Sequence, residues 1–432
     1  MLLTRPYGPL LPYLRRLRSD RVALNSAYTV GSQASIALLQ ALQFFLLARA
    51  LGSHEFGQVA SVVAITSALL PFSGLGLGNV AIMHIARAQA HPEVCVGNGF
   101  AVTTITGALL VGLAVLIGTS FQAEPGIWLL VLLFGVSEIL LTKYIDLAAH
   151  VFFGMEMHAV AAFFYNLQMI VRLACAAALY WGWTQPTALA WAQLHLGAGA
   201  LTAGVVLYVS VRQLGRPRTE YASAKADIRK GVFFSIVLSA RSVQTDVDKT
   251  VLAHTASAAM AGAYTAAFRI VYMACMPIIA ILVALQARIF RKGHEGGLAG
   301  TVGALRRLMM IAGMYCLLLA AGVYVAAPAV PWLLGDSYQL SSEILRWLCL
   351  LPLLVVVQSV ASTALSGADA QRRVGFLHAV AAGMALLLNL LLVPYYGWRG
   401  AVMAAYGSQG VLIAGLLLTI VRGLEEERKA RR

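Results

Sequence analysis

Gly231 to Ala280 reads GVFFSIVLSARSVQTDVDKTVLAHTASAAMAGAYTAAFRIVYMACMPIIA. Apolar residues dominate it, yet Arg241, Asp246, Asp248, Lys249 and Arg269 lie inside. An ionisable side chain at the centre of a bilayer costs roughly 3 kcal/mol on insertion scales. Such groups persist where they face a partner or a water-filled cavity. The stretch therefore reads as two membrane spans with charge on an internal surface.

The rest of the chain agrees. Of its 432 residues, 60% are hydrophobic and 12% charged; soluble domains carry about a quarter charged residues. The excess returns as runs of about 20 residues, the length that crosses a hydrocarbon core. These runs predict an all-α polytopic membrane protein, since a β-barrel would alternate in short strands. Twelve spans are expected, near 23–47, 56–85, 97–118, 127–149, 159–180, 188–211, 232–253, 260–285, 308–327, 344–365, 374–394 and 401–421. The connections leave no room for a soluble catalytic domain.

Lys and Arg set the expected orientation. With both termini cytoplasmic, 25 of the 32 basic residues fall on one side. They lie in the N-terminal tail, at Arg87 and Lys143, in 212–230 and 288–307, at Arg372 and Arg373, and in the C-terminal tail. The net charge of +14 thus reflects positive loops and calls for no nucleic acid. Residues 10–17 fit either a basic amphipathic surface helix or a frayed tail.

The chain carries marks of an internal repeat. Tyr180-Trp-Gly-Trp183 and Tyr395-Tyr-Gly-Trp398 follow the fifth and eleventh spans. Phe56-Gly57 with Ala60, and Ala261-Gly262 with Ala266, follow the first and seventh. Both offsets are near half the chain length, which predicts two parallel six-helix bundles. The expected division is a basic segment 1–22, a first bundle 23–211, a linker 212–230, a second bundle 231–421 and a tail 422–432. The acidic run from Glu425 in that tail reads as solvated. Pro71 with Gly74, Gly76 and Gly78, then Pro277 and Pro352, should break spans. Such breaks face protein or a cavity.

No motif demands a cofactor or a metal. Gly74-Leu-Gly-Leu-Gly78 has no preceding strand and no βαβ unit, so close helix packing explains it better than a dinucleotide. Asp246-Val-Asp248 has the spacing of a metal-dependent glycosyltransferase motif but lacks the soluble or extracytoplasmic domain that would carry it. Asp246 and Asp248 instead suggest ion pairs with Lys249 or Arg241. The five cysteines are scattered singly and read as small core residues. His84, His195, His254 and His378 have no ligand spacing and read as structural. Arg172, Arg241 and Arg269 are the sharpest signals, because arginine stays charged and grips phosphate bidentately. With Lys249 they form the expected cationic substrate site. Glu138 is the candidate ion-coupling carboxylate, while Lys143 and Asp146 are spaced for a local pair.

Three short motifs, in this order, resemble polysaccharide-biosynthesis membrane proteins, the Wzx-type lipid-linked oligosaccharide flippases of the MOP superfamily. They are Leu46-Leu-Ala-Arg-Ala-Leu-Gly52 with Glu55-Phe-Gly57 and Ala60, then Asp248-Lys-Thr-Val-Leu252 with Ala261-Gly-Ala-Tyr264 and Ala267-Phe-Arg269, and finally Asn389 with Leu392-Val-Pro-Tyr-Tyr-Gly-Trp-Arg-Gly-Ala401. The resemblance implies two bundles around a cationic cavity in the inner membrane. It implies movement of undecaprenyl-diphosphate-linked repeat units of an O-antigen, capsule or exopolysaccharide by alternating access, without catalysis. Its expected partners are the lipid-linked oligosaccharide, membrane lipids and the polymerase and chain-length proteins of such a pathway. A MATE-like cation-coupled antiporter and a membrane glycosyltransferase or polymerase stand as alternatives.

Overall fold

The computed structural model describes residues 10–87, 89–121 and 126–430. It is helical throughout, with no strand among the described residues. Helices are what a lipid-embedded backbone requires, since every N–H and C=O must be satisfied within the segment.

Among the described residues nine helices are long and apolar enough to cross a membrane, or ten with one bent pair. Three features reconcile that number with the twelve expected spans. The run Gly31–Ala86 has 56 residues, about twice the length a bilayer needs, and Gly52 breaks its helical geometry at φ 68°, ψ 174°. The pair Asp336–Leu348 and Leu351–Gly367 is bent by 52° where Pro352 opens the second helix. Finally, Tyr221–Thr255 holds too many charges to score as apolar. The twelve helices are α1 (10–51), α2 (53–86), α3 (Pro92–Phe121), α4 (Ile127–Gly154), α5 (His158–Gly182), α6 (Ala188–Leu214), α7 (Tyr221–Thr255), α8 (258–296), α9 (298–334), α10 (336–367), α11 (Gln371–Tyr396) and α12 (Trp398–Ala430).

Local chemistry places their ends. Thr187 and Ser257 accept hydrogen bonds from the amides of Ala190 (3.2 Å) and Met260 (3.1 Å), capping α6 and α8. Glu55 accepts the Ala188 amide at 2.6 Å. Residues 10–17 belong to the helix that continues into α1, which decides against a frayed tail. The expected linker 212–230 is non-helical only over 215–220, because α7 begins at Tyr221.

The C-terminal tail departs from expectation. α12 runs on to Ala430, and Glu427 accepts the amides of Leu298 (2.6 Å) and Ala299 (3.1 Å). It caps the start of α9, where Gly297 at φ 63° interrupts the helix. A carboxylate there satisfies orphan donors and meets the positive end of the helix dipole. Glu427→Ala should cost about 1 kcal/mol and lower the thermal midpoint of the detergent-solubilised protein, while Glu426→Ala, one residue away, should not.

Two glycine pairs set the closest approaches between the halves of the chain. A Cβ on Gly57 would strike the Ala258 carbonyl, and one on Gly262 would strike the Ser53 carbonyl. These are the two glycines that the repeat singles out, 205 residues apart, and they meet across α2 and α8. Gly76 and Gly231 likewise leave no room for a Cβ between α2 and α7. In lipid, close backbone contact of this kind replaces the hydrophobic drive that packs soluble helices.

Around Gly57 the contact is extended by hydrogen bonds. Tyr338 donates to the Ala48 carbonyl (3.0 Å), the Ser53 amide donates to Ser337 (3.2 Å), and Arg49 donates to the Leu333 carbonyl (3.3 Å). This end of the molecule is clasped shut. Phe44, Phe56, Phe134, Trp191, Tyr264 and Tyr338 all lie in the core cluster beneath the clasp.

Candidate functional site

Below the clasp lies a cavity of about 360 Å³, lined by α1, α2, α4, α5, α6 and α8. Its polar lining includes Gln40, Gln43, Glu138, Arg172, His195 and Arg269. A second cavity of about 250 Å³ is lined by Asp246, Lys249 and Arg269, among others. The two share Ala60, Val63, Arg269 and Tyr272, so Arg269 presents itself to both.

Helix α4 builds the first half of the site through a π-helical segment, Val136–Thr142. Wide turns of this kind recur at functional positions because they re-aim side chains. Ser73, in the broken part of α2, donates to the Ile139 carbonyl at 2.6 Å and holds the segment in place. Glu138 and Thr142 then meet α5 and α6. Arg172 lies 3.0 Å from Glu138 Oε1 and donates to Thr142 at 2.8 Å. His195 Nε2 reaches the same Glu138 oxygen at 2.6 Å. The His195 ring sits 5.1 Å from Phe134 and 5.3 Å from Trp191.

Helices α7 and α8 build the second half. Lys249 lies 2.8 Å from Asp246 and 3.3 Å from Asp248, with the Phe268 ring 4.4 Å away. Asp248 is buried behind it and accepts from Tyr264 at 2.7 Å. Asp246 also accepts from Ser67 of α2 at 3.3 Å.

Arg269 differs from both. Its guanidinium lies 5.7 Å from the Phe44 ring centre and 5.9 Å from that of Phe56. Among the described residues no carboxylate comes within ion-pair distance of it. Aromatic faces attract a cation without neutralising it. Arg269 feels the charge of Asp246, which Lys249 already holds, but among the described residues it is the cavity cation that forms no ion pair.

Three of the four expected cationic residues, Arg172, Lys249 and Arg269, line the joined cavities. Arg241 lines neither cavity: it stands about two turns before Lys249 on α7 and meets the cavity only through its electrostatic interaction with Tyr272. The cavity is also less cationic than a count of Arg and Lys suggests, because Glu138 and Asp246 line it too and pair with Arg172 and Lys249. Asp246 serves as the expected ion-pair partner, and its cation is Lys249. Lys143 and Asp146 form the expected pair at 2.8 Å, joined by Tyr165 at 2.8 Å, and line neither cavity. His195 is the residue that reading the sequence missed. It stands 57 positions from Glu138, and no spacing rule links helices α4 and α6. Among the described residues no cluster of three or more potential ligands could hold a metal.

The sequence pattern described as "Polysaccharide biosynthesis protein" matches residues 22–291, well over half of the chain. The chain belongs to that family. No curated protein sequence matches it. Among solved structures it is similar to a multidrug resistance MATE family transporter of the MOP superfamily in an inward-facing conformation. That likeness has a TM-score of 0.73 and 17% identity, covering 92% of this chain and 99% of the other. It is also similar to an outward-facing MATE structure, at TM-score 0.60 and 16% identity over 94% and 96% of the two chains. A MOP superfamily transporter from Pyrococcus furiosus, described by the reverse polarity of its binding pocket, aligns at TM-score 0.62 and 15% identity over 93% and 95%. This polysaccharide biosynthesis protein therefore has the fold of MOP superfamily transporters and passes through the membrane many times.

Proposed function

We propose that the protein is an inner-membrane flippase for oligosaccharides linked to a lipid diphosphate. The observation that carries this reading is Arg269, an unpaired guanidinium in a membrane-embedded cavity. A cation inside a membrane span with no ion-pair partner is costly and is explained by an anionic ligand that supplies one. A diphosphate fits the planar guanidinium fork, and Trp191 and Tyr272 on the same walls suit sugar rings. The lipid tail stays in the bilayer while the headgroup crosses. The two halves, each of six helices, rock about the contacts of α2 with α7 and α8, with both termini cytoplasmic. Polymerase and chain-length proteins are the expected partners on the far side.

The test is reconstitution. Purified protein in vesicles containing a labelled polyprenyl-diphosphate oligosaccharide should move the label to the opposite leaflet, where an impermeant glycosidase removes it. Label movement no faster than in protein-free vesicles would overturn the reading.

A further inference from the structure

The Glu138 carboxylate and the anionic headgroup compete for one guanidinium. Arg172 is buried, with 7% of its surface exposed, and lines the larger cavity. Among the described residues its carboxylate partner is Glu138 alone, through Oε1 at 3.0 Å. Its Nε is a buried donor with no hydrogen-bond partner in the described structure. The guanidinium thus holds a carboxylate with one nitrogen and keeps part of its fork free. A phosphate that took Nε and Nη2 together would use the fork fully, and would push Glu138 off.

Lys249 offers no such exchange. It is held by both Asp246 and Asp248, so losing one acid leaves the other. Lys143 and Asp146 are closed by Tyr165 and His150 and do not line the cavity. Only at Arg172 does an arriving anion strand a carboxylate.

We propose that binding of the headgroup at Arg172 displaces Glu138 and loads one proton onto the Glu138–His195 pair. The inference rests on the diphosphate reading above. Two negative groups that share one small cavity of low polarity cannot both stay ionised, so one takes a proton. A phosphodiester is far more acidic than a carboxyl group or an imidazolium, so the proton goes to Glu138 and the His195 ring hydrogen-bonded to it. The proton is drawn from the buffer acid of the bulk solvent, whose X–H bond breaks and leaves the conjugate base there as the new O–H or N–H bond forms; no other covalent bond changes. The groups facing Glu138 permit this. From α5 there is Arg172, then engaged by the headgroup. From α6 there is His195, whose Nε2 remains a partner for the protonated carboxyl. Thr142 of α4 is neutral, α1 offers Gln40 and Gln43, α2 offers Ser67, and Arg269 of α8 is taken up with the headgroup. His195 Nδ1 is buried without a partner, which suits a neutral ring donating from Nε2. When the headgroup leaves, the pair returns its proton and Glu138 recloses on Arg172.

Calorimetric titration of the purified protein with farnesyl diphosphate N-acetylglucosamine tests this. The probe is a diester, so its phosphates keep a fixed charge near neutral pH and any exchanged proton belongs to the protein. Runs in two buffers of different ionisation heat should give an uptake of about one proton per probe bound. The dissociation constant should then rise by up to about tenfold per pH unit. In Glu138→Gln the uptake should vanish while the probe still binds, with affinity independent of pH. Binding to the wild type without uptake or pH dependence would overturn the inference and leave the flippase reading intact. Unchanged uptake in Glu138→Gln would do the same. Absence of any binding would remove the diphosphate reading, and this inference with it.

Discussion

Arg269→Ala is expected to reduce export of lipid-linked oligosaccharide by about 100-fold or more, with the protein still inserted at its normal level. A hydrogen bond to a charged group is worth about 1.5–3 kcal/mol, and a guanidinium makes two such bonds to a diphosphate. Losing both removes at least the roughly 2.8 kcal/mol that 100-fold represents. Removing Arg269 should not harm folding. It takes away an unpaired charge, so no buried carboxylate is orphaned, and the rings of Phe44 and Phe56 keep each other as partners at 5.8 Å. Arg269→Lys should recover part of the activity, because an ammonium supplies the charge without the fork. Measuring surface polysaccharide and membrane-inserted protein together, in cells that carry each variant in place of the wild type, checks both statements. Normal export by Arg269→Ala would sink the proposed site.

The second large effect is expected at the clasp. Gly57→Val or Gly262→Val puts side-chain atoms where the opposing backbone carbonyls of Ala258 or Ser53 lie. Overpacking costs typically 1–3 kcal/mol, and here the obstacle is backbone, which cannot turn aside. The clasped state should lose about 3 kcal/mol, a shift of about 100-fold toward the open form. Export should fall because the cycle needs both states. A cysteine at Ser53, which is buried beneath the same contact, introduced in a cysteine-free background, should become accessible to an impermeant maleimide in the Val variants. It should stay protected in the parent. Equal labelling in parent and variant would show that the glycine contact does not hold the clasp. Gly57→Ala should fall between the two, since even one methyl meets the carbonyl.

Much of this architecture is legible in the sequence. Runs of about 20 apolar residues place all twelve helices, and the Phe56-Gly57 and Ala261-Gly262 marks locate the very glycines that touch. Three of the cationic residues in the cavity are legible for the same reason: in a membrane, a charge must have a purpose or a partner. The partners are not legible. Glu138, Arg172 and His195 stand on three helices, and only the wide turn at Val136–Thr142 aims the first at the other two. Nothing in the local pattern announces that turn. Arg241 is no less charged than Arg269, yet it lies earlier on α7, outside the residues that line the cavities. The acidic tail reads as solvated because its partners are backbone amides exposed by the break at Gly297. A glycine in an apolar run signals close packing as readily as it signals a break.

The most direct test of the central claim is the leaflet distribution of lipid-linked repeat units in cells lacking the gene. In such cells they should accumulate on the cytoplasmic leaflet, and polymer should disappear from the surface. Repeat units that still reach the outer leaflet at the normal rate would contradict the claim. If they also remained unpolymerised there, the protein would act after translocation.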